Sequence, residues 1–204
     1  FVLMQIPFPS MPTINRWGNS EGEVLFFLHA NSYSSKMYLP FLDPLTKDYN
    51  ILAPDLPGHG ESRWNGRIDA WVNIANYYID YLDKNPPGRP MVAMGHSIGG
   101  IVIMLMAIQR PDWFQKIILL DPVMLPKRVL TVLRSLRLLS LTHIIPLTRA
   151  AARRRNHFET RASALEHYSK KTIFSHWEPR FLEAYVETCL RENESGDFQL
   201  SCAP

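Results

Sequence analysis

The stretch Met91-Val92-Ala93-Met94-Gly95-His96-Ser97-Ile98-Gly99-Gly100 decides how this chain is read. Met91–Met94 is a short, continuous apolar run, the pattern of a strand buried on both faces. Gly99–Gln109 reads as an apolar helix that stops at Arg110-Pro111, where proline removes a helix donor. Between them lies G-x-S-x-G. In that context the serine sits on a sharp strand-to-helix turn, where crowding leaves room only for glycine at the flanking positions. The turn lifts the Ser97 hydroxyl clear of the sheet. The helix start behind it offers free N–H groups and a positive dipole end, so the Ile98 amide can face an oxyanion. A glycine-rich turn with an incidental serine would not require a strand before it and a helix after it.

Outward from this turn the alternation continues. Val24–His29, Tyr49–Ala53 and Lys116–Leu120 are further short apolar runs, the second ended by Pro54 and the third by Asp121-Pro122. Helical patterns fill the intervals at Lys36–Leu45 and Asp69–Asp83. Strands alternating with helices predict βαβ units and an α/β fold with a mostly parallel sheet. Phe1–Ile6 and Ile14–Trp17 fit one or two short antiparallel edge strands. After Pro122 the pattern changes. Lys127–Leu141, Thr160–Phe174 and Glu178–Arg191 read as helices, with no strand-like run from Val123 to Cys202, which predicts an all-helical lobe.

Two loops follow strands at the edge where parallel sheets bind ligands. In His29-Ala30-Asn31, the small residue lets backbone approach a substrate, and the Asn31 amide is the natural second oxyanion donor beside Ile98. The His29 side chain reads as a buried, satisfied histidine. In Asp55-Leu56-Pro57-Gly58-His59-Gly60-Glu61-Ser62, Asp55 and His59 read as hydrogen-bonding anchors of a tight loop, with His59 as catalytic base the competing reading.

The series HAN, DLPGHGES, GHSIGG and LLDPV, from about residue 1 to 123, resembles the α/β-hydrolase superfamily, and the helical remainder resembles its cap domain. The resemblance implies a hydrolase core at 1–123, a cap at 124–196 and the start of a return to the core at 197–204. It implies Ser97 as nucleophile, with the Asn31 and Ile98 amides as oxyanion hole. Serine at that position favours ester, thioester or amide-type acyl transfer, and carboxylic esters, fatty-acyl or other apolar ones among them, are the expected substrates. Amide or C–C cleavage on the same fold, and a non-catalytic binding protein that keeps the fold, are the alternatives.

In this superfamily a carboxylate and then a histidine follow the serine on later strands. His143, His157, His167 and His176 all fall in the expected lobe, and none follows a strand. Asp121 follows a strand after which some members carry the acid, and it reads equally as a strand-ending turn. The sequence therefore predicts a C-terminally incomplete hydrolase whose C-terminal strands, acid and base lie beyond Pro204, inactive by itself and with an open sheet edge.

Composition bounds the rest. With 46% hydrophobic and 20% charged residues, the chain of 204 is neither disordered nor disulfide-stapled. Its net charge of +3 is too mild to imply nucleic acid. Eight basic residues and no acid lie between Lys127 and Arg155. One reading of Lys127–Leu141 is a helix packing its leucines on the sheet with a solvated basic face. The other is an apolar lid whose arginines meet anionic head groups at a membrane surface. Cys189 and Cys202 suggest no disulfide framework, so a reducing, cytoplasmic setting is expected. The stretch FVLMQIPFPSMP, with its early Pro7 and no basic residue, is expected to be a poor signal peptide. No run of about 18 apolar residues predicts a membrane span, and no ligand spacing predicts a metal or other cofactor. Oligomeric state is not legible.

Overall fold

Five strands build the main sheet in the order β1 (Ile14–Gly18), β3 (Tyr49–Pro54), β2 (Glu23–Leu28), β4 (Met91–His96) and β5 (Phe114–Leu120). The structure is a computed structural model that describes residues 11–64, 68, 70–87, 90–138 and 154–202. β3, β2, β4 and β5 run parallel, and β1 is the antiparallel edge strand expected near Ile14. Phe1–Ile6 lies outside the described residues.

The apolar runs are continuous because both sheet faces are covered. Val24, Phe26 and Leu28 pack with Leu52, Met91 and Ala93 against α2 (Trp71–Lys84) and α3 (Ile98–Gln109). Leu25 and Phe27 pack on the other face with Ile51, Val92 and Met94. Phe26 and Phe27 are both fully buried on opposite faces. Each stabilises the fold by about 2–3 kcal/mol relative to an exposed side chain. β5 is the outermost strand on its side among the described residues, and Gln115, Lys116 and Ile117 are exposed.

The helix expected at Lys36–Leu45 is broken into a 3₁₀ turn (Lys36–Tyr38), a single α turn, α1 (Leu39–Leu42), and a second 3₁₀ turn (Asp43–Leu45). Pro40 and Pro44 each remove a donor that a regular helix would use.

The second lobe corrects the all-helical expectation. It contains α4 (Lys127–Leu138), α5 (Arg161–Ser169) and α6 (Pro179–Cys189), together with a small antiparallel sheet of β6 (His157–Phe158), β8 (Phe198–Leu200) and β7 (Leu190–Glu192). Strands of two or three residues are too short to leave a period-2 signal. The helix expected over Thr160–Phe174 starts one residue later, because Thr160 is its cap and exchanges hydrogen bonds with Ser163. Within residues 197–202, Phe198–Leu200 pairs with both other strands of this sheet. On α4, Val129, Leu130 and Val132 are exposed, so these apolar residues do not pack on the sheet as expected. Residues 139–153, His143 among them, lie outside the described residues.

The lobe sits on the sheet face opposite α2 and α3. Phe158, Tyr168, Phe174, Leu182, Tyr185 and Val186 belong to the same buried cluster as Leu25 and Phe27. Among the described residues no helix is long and apolar enough to cross a membrane, and no group of three His, Cys, Asp or Glu could hold a metal ion.

Candidate active site

Ser97 links β4 to α3 with φ 54° and ψ −118°. A positive φ costs a residue with a Cβ about 1–2 kcal/mol and persists only where the surroundings impose it. Here they do. Ser97 N–H donates to Leu120 O at the end of β5 (2.9 Å), and Gly100 N–H donates to Ser97 O (3.1 Å). A Cβ on Gly95 would stand 2.6 Å from Gly100 N, and one on Gly99 would stand 2.3 Å from Leu28 O. The glycines therefore let α3 begin hard against the ends of β4 and β2.

Because Leu28 pairs with Gly95 in parallel register, the segments leaving β2 and β4 emerge side by side. This brings together the expected oxyanion loop, His29-Ala30-Asn31, and the turn Ser97-Ile98. Asn31 is exposed, and Ser97 and Ile98 are half-buried. Neither the Asn31 nor the Ile98 N–H has a backbone acceptor among the described residues. The Ser97 hydroxyl makes no cap hydrogen bond to the helix it starts.

The histidines near this edge are held elsewhere. His29 is fully buried, its Nε2 accepts from Leu56 N–H (2.8 Å) and its Nδ1 donates to Ala30 O (2.8 Å). Burial lowers its pKa against the opposing pull of Asp55, so the ring is neutral and structural. His59 contacts Pro57 O through Nδ1 (3.0 Å) and Asn31 Oδ1 through Nε2 (3.0 Å). Burial first, and the His29 ring next, bring its pKa down to about 4. Asp55 accepts from the Ser35 N–H and hydroxyl (2.7 Å each) and from Glu61 N–H (2.9 Å), while Tyr78 donates to its carbonyl (2.9 Å). It anchors the loop, as the sequence suggested.

Of the lobe histidines, His157 stands 3.4 Å from Asp197, His167 packs on Phe158 and Tyr168, and His176 is exposed. Asp121 adopts φ 44° directly after β5, beside the Leu120 carbonyl that holds Ser97 N–H, and its charge opposes the lowering of the His96 pKa by burial.

Sequence reasoning missed the residues around the serine's neighbour. His96 Nδ1 lies 2.6 Å from the Tyr38 hydroxyl, which also accepts from Ala30 N–H (3.3 Å). Tyr33 stacks on His96 (centroids 6.5 Å) and meets Tyr185 and Trp177 edge-on (5.7 and 5.8 Å). An aromatic wall thus runs from His96 into the lobe. Trp177 also lines a 510 Å³ cleft with Leu165, Phe174 and Leu182. No local signal could have located these contacts, since Tyr38 and His96 are 58 residues apart.

A strained serine between strand and helix on a parallel sheet is the mark of one large class of α/β enzymes. Residues 25–197 match the model of the alpha/beta hydrolase family, and the chain belongs to that family. It is 45% identical over 74 residues to lipase LipV of Mycobacterium tuberculosis, covering 35% of this chain and 27% of that protein. Human monoglyceride lipase is 32% identical over 82 residues, 38% of this chain and 27% of the lipase. The chain thus matches about a quarter of the length of each of these two lipases. A solved M. tuberculosis esterase superposes over 96% of this chain and 64% of its own, with a TM-score of 0.68 at 22% identity, which shows the fold.

Proposed function

We propose that this chain carries the nucleophile of a serine hydrolase acting on apolar carboxylic esters. The carrying observation is the strained backbone of Ser97 at the start of α3, beside two N–H groups without backbone acceptors among the described residues. In this reading Ser97 Oγ attacks the ester carbonyl, and a histidine outside the described residues takes its proton. The described histidines are engaged elsewhere or lie in the lobe. The Asn31 and Ile98 amides hold the oxyanion of the tetrahedral intermediate. The alcohol leaves with the proton, and water then releases the acyl group from Ser97. An orienting carboxylate is needed, and Asp121, directly after β5 and beside the Leu120 carbonyl that accepts from Ser97 N–H, is the described candidate.

Lipase and monoglyceride lipase relatives support an ester substrate, and the apolar cleft beside Trp177 supports an apolar acyl part. The core and lobe would then act as catalytic body and cap. The test is fluorophosphonate labelling of the full-length protein, with ester turnover measured in parallel. Ser97→Ala should abolish labelling and lower kcat by about 10⁴-fold or more. Labelling that persists in Ser97→Ala, or a folded wild type that neither labels nor hydrolyses esters, would reject the reading.

A further inference from the structure

His59 is fixed firmly by its own loop. Its N–H donates to Leu56 O (2.9 Å), and its carbonyl accepts from Ser62 N–H (2.8 Å). Its ring packs on the buried His29 ring (centroids 5.5 Å), and Nδ1 faces Pro57 O at 3.0 Å. The carbonyl of the next residue, Gly60, accepts from Arg191 Nε of the second lobe (2.8 Å). The imidazole is thus a rigid platform.

The loop after β2 is held differently. Tyr33 N–H donates to Ala30 O (3.3 Å), so Ala30–Tyr33 closes as a four-residue turn. Its third residue, Ser32, has φ 70°, a left-handed conformation that glycine fills most readily. A residue with a Cβ stays there only when its surroundings impose it. Two side chains do so. The Tyr38 hydroxyl accepts from Ala30 N–H (3.3 Å) and reaches His96 Nδ1 (2.6 Å), which ties the turn's first residue to the neighbour of Ser97. At the tip, His59 Nε2 lies 3.0 Å from Asn31 Oδ1, while Asn31 Nδ2 reaches Ser32 Oγ at 3.4 Å. The Asn31 carboxamide therefore spans from the His59 platform to the strained residue of the turn.

The geometry points to His59 as a positioning residue for the oxyanion hole: it holds the Asn31 carboxamide, and through it aims the Asn31 backbone N–H at the oxygen of the carbonyl that Ser97 attacks. This rests on the reading of Ser97 as nucleophile and of the Asn31 amide as oxyanion donor. It gives His59 a part in the reaction that is neither proton transfer nor loop anchoring alone. A main-chain donor aimed at the developing oxyanion acts in the transition state and little in the bound ester, so a slack turn costs rate rather than binding. The tie needs a polar group at the reach of Nε2 and no exchange of protons with substrate. Glutamine, whose amide both donates and accepts, supplies one.

The test measures kcat and KM of the full-length protein for p-nitrophenyl butyrate. His59→Leu should lower kcat about 10–100-fold with KM within about twofold. His59→Gln should recover most of the lost rate. Asn31→Ala keeps the backbone N–H but loses the carboxamide, and it should lose about as much as His59→Leu. The double variant should be no slower than either single one, because all three lack the same tie. Losses that multiply in the double variant overturn the proposal, as do a kcat within about threefold of wild type in folded His59→Leu, a loss carried by KM, or a Gln variant as slow as Leu. If His59→Leu does not fold, Asn31→Ala decides, since Asn31 is exposed: a wild-type kcat there overturns it. If wild type neither hydrolyses esters nor labels with a fluorophosphonate, the Ser97 reading has failed, and hydrogen exchange at the Tyr33 amide decides separately whether His59 holds the turn. Exchange should accelerate in His59→Leu and Asn31→Ala and stay slow in His59→Gln; equal rates in wild type and all variants overturn it.

Discussion

The Tyr38 hydroxyl stands 2.6 Å from Nδ1 of His96, the residue before Ser97. Burial drives the Tyr38 phenol far above its usual pKa, so it keeps its proton and donates it. Burial also lowers the His96 pKa, leaving Nδ1 free to accept. The same oxygen accepts from Ala30 N–H, so one buried hydroxyl ties the loop after β2 to the serine turn. Tyr38→Phe removes both bonds and leaves a buried amide unsatisfied. It should cost about 1–3 kcal/mol of stability. If the ties position the turn, kcat for ester hydrolysis should fall with KM little changed. A denaturant midpoint and kcat both equal to wild type would mean the link holds nothing.

Gly99 meets the end of β2 so closely that no side chain fits. A Cβ there would lie 2.3 Å from Leu28 O and 2.7 Å from His29 O, both backbone atoms unable to yield separately. Gly99→Ala should therefore lower stability by about 3 kcal/mol or more, by forcing α3 away from the sheet. Gly196→Ala is the contrast. That glycine has φ 82° but nothing within 4 Å, so only conformational strain of about 1–2 kcal/mol is expected. Equal losses in urea denaturation for the two variants would refute the packing account.

These two cases show what was legible in the sequence. The crowding at Gly95 acts between near neighbours in the chain, Gly99 and Gly100, so the motif and its strand-and-helix context revealed the turn, whereas the contact of Gly99 with Leu28 and His29 exists only across the sheet. The anchoring roles of Asp55 and His29 were readable because a buried polar residue beside a tight loop must find partners. The Tyr38–His96 link was not readable, because it exists only once β2 and β4 lie adjacent in the sheet. The hairpin of β7 and β8 left a turn signal, Asn193-Glu194-Ser195-Gly196-Asp197, with Asn193 Oδ1 accepting from two backbone amides, but strands too short to show alternation. The exposure of Val132 on α4 was illegible for a different reason. Helical periodicity reports an apolar stripe and not what covers it.

Asp55 provides a sharper test of the anchor. Its Oδ1 accepts from Ser35 twice and its Oδ2 from the Glu61 amide, all in a buried setting. Asp55→Asn conserves shape but must turn an NH₂ group toward at least one of these donors. A loss of about 2–4 kcal/mol is expected from the unpaired donor and the lost charge-assisted bonds. Hydrogen exchange at the Ser35 and Glu61 amides should rise together, since both lean on one carboxylate. Accelerated exchange at only one of them would show that the loop has a second anchor.

The pH dependence of stability should carry the signature of His59. Its pKa falls from 6.5 in the unfolded chain to about 4 in the fold, chiefly through burial and then the His29 ring. Between those values the unfolded state binds the proton and the folded state does not. Stability therefore rises with pH across this window. It is fully present above pH 6.5, is lost as pH falls toward 4, and the loss levels off below that. The slope from this residue is at most about 1.4 kcal/mol per pH unit. His29, also lowered by burial, acts in the same direction. Thermal unfolding followed from pH 7.5 to 4 should show Tm falling with acidification, and His59→Gln should flatten that fall while leaving the part due to His29. A variant profile as steep as wild type would mean that the His59 ring accepts its proton in the folded state as readily as in water.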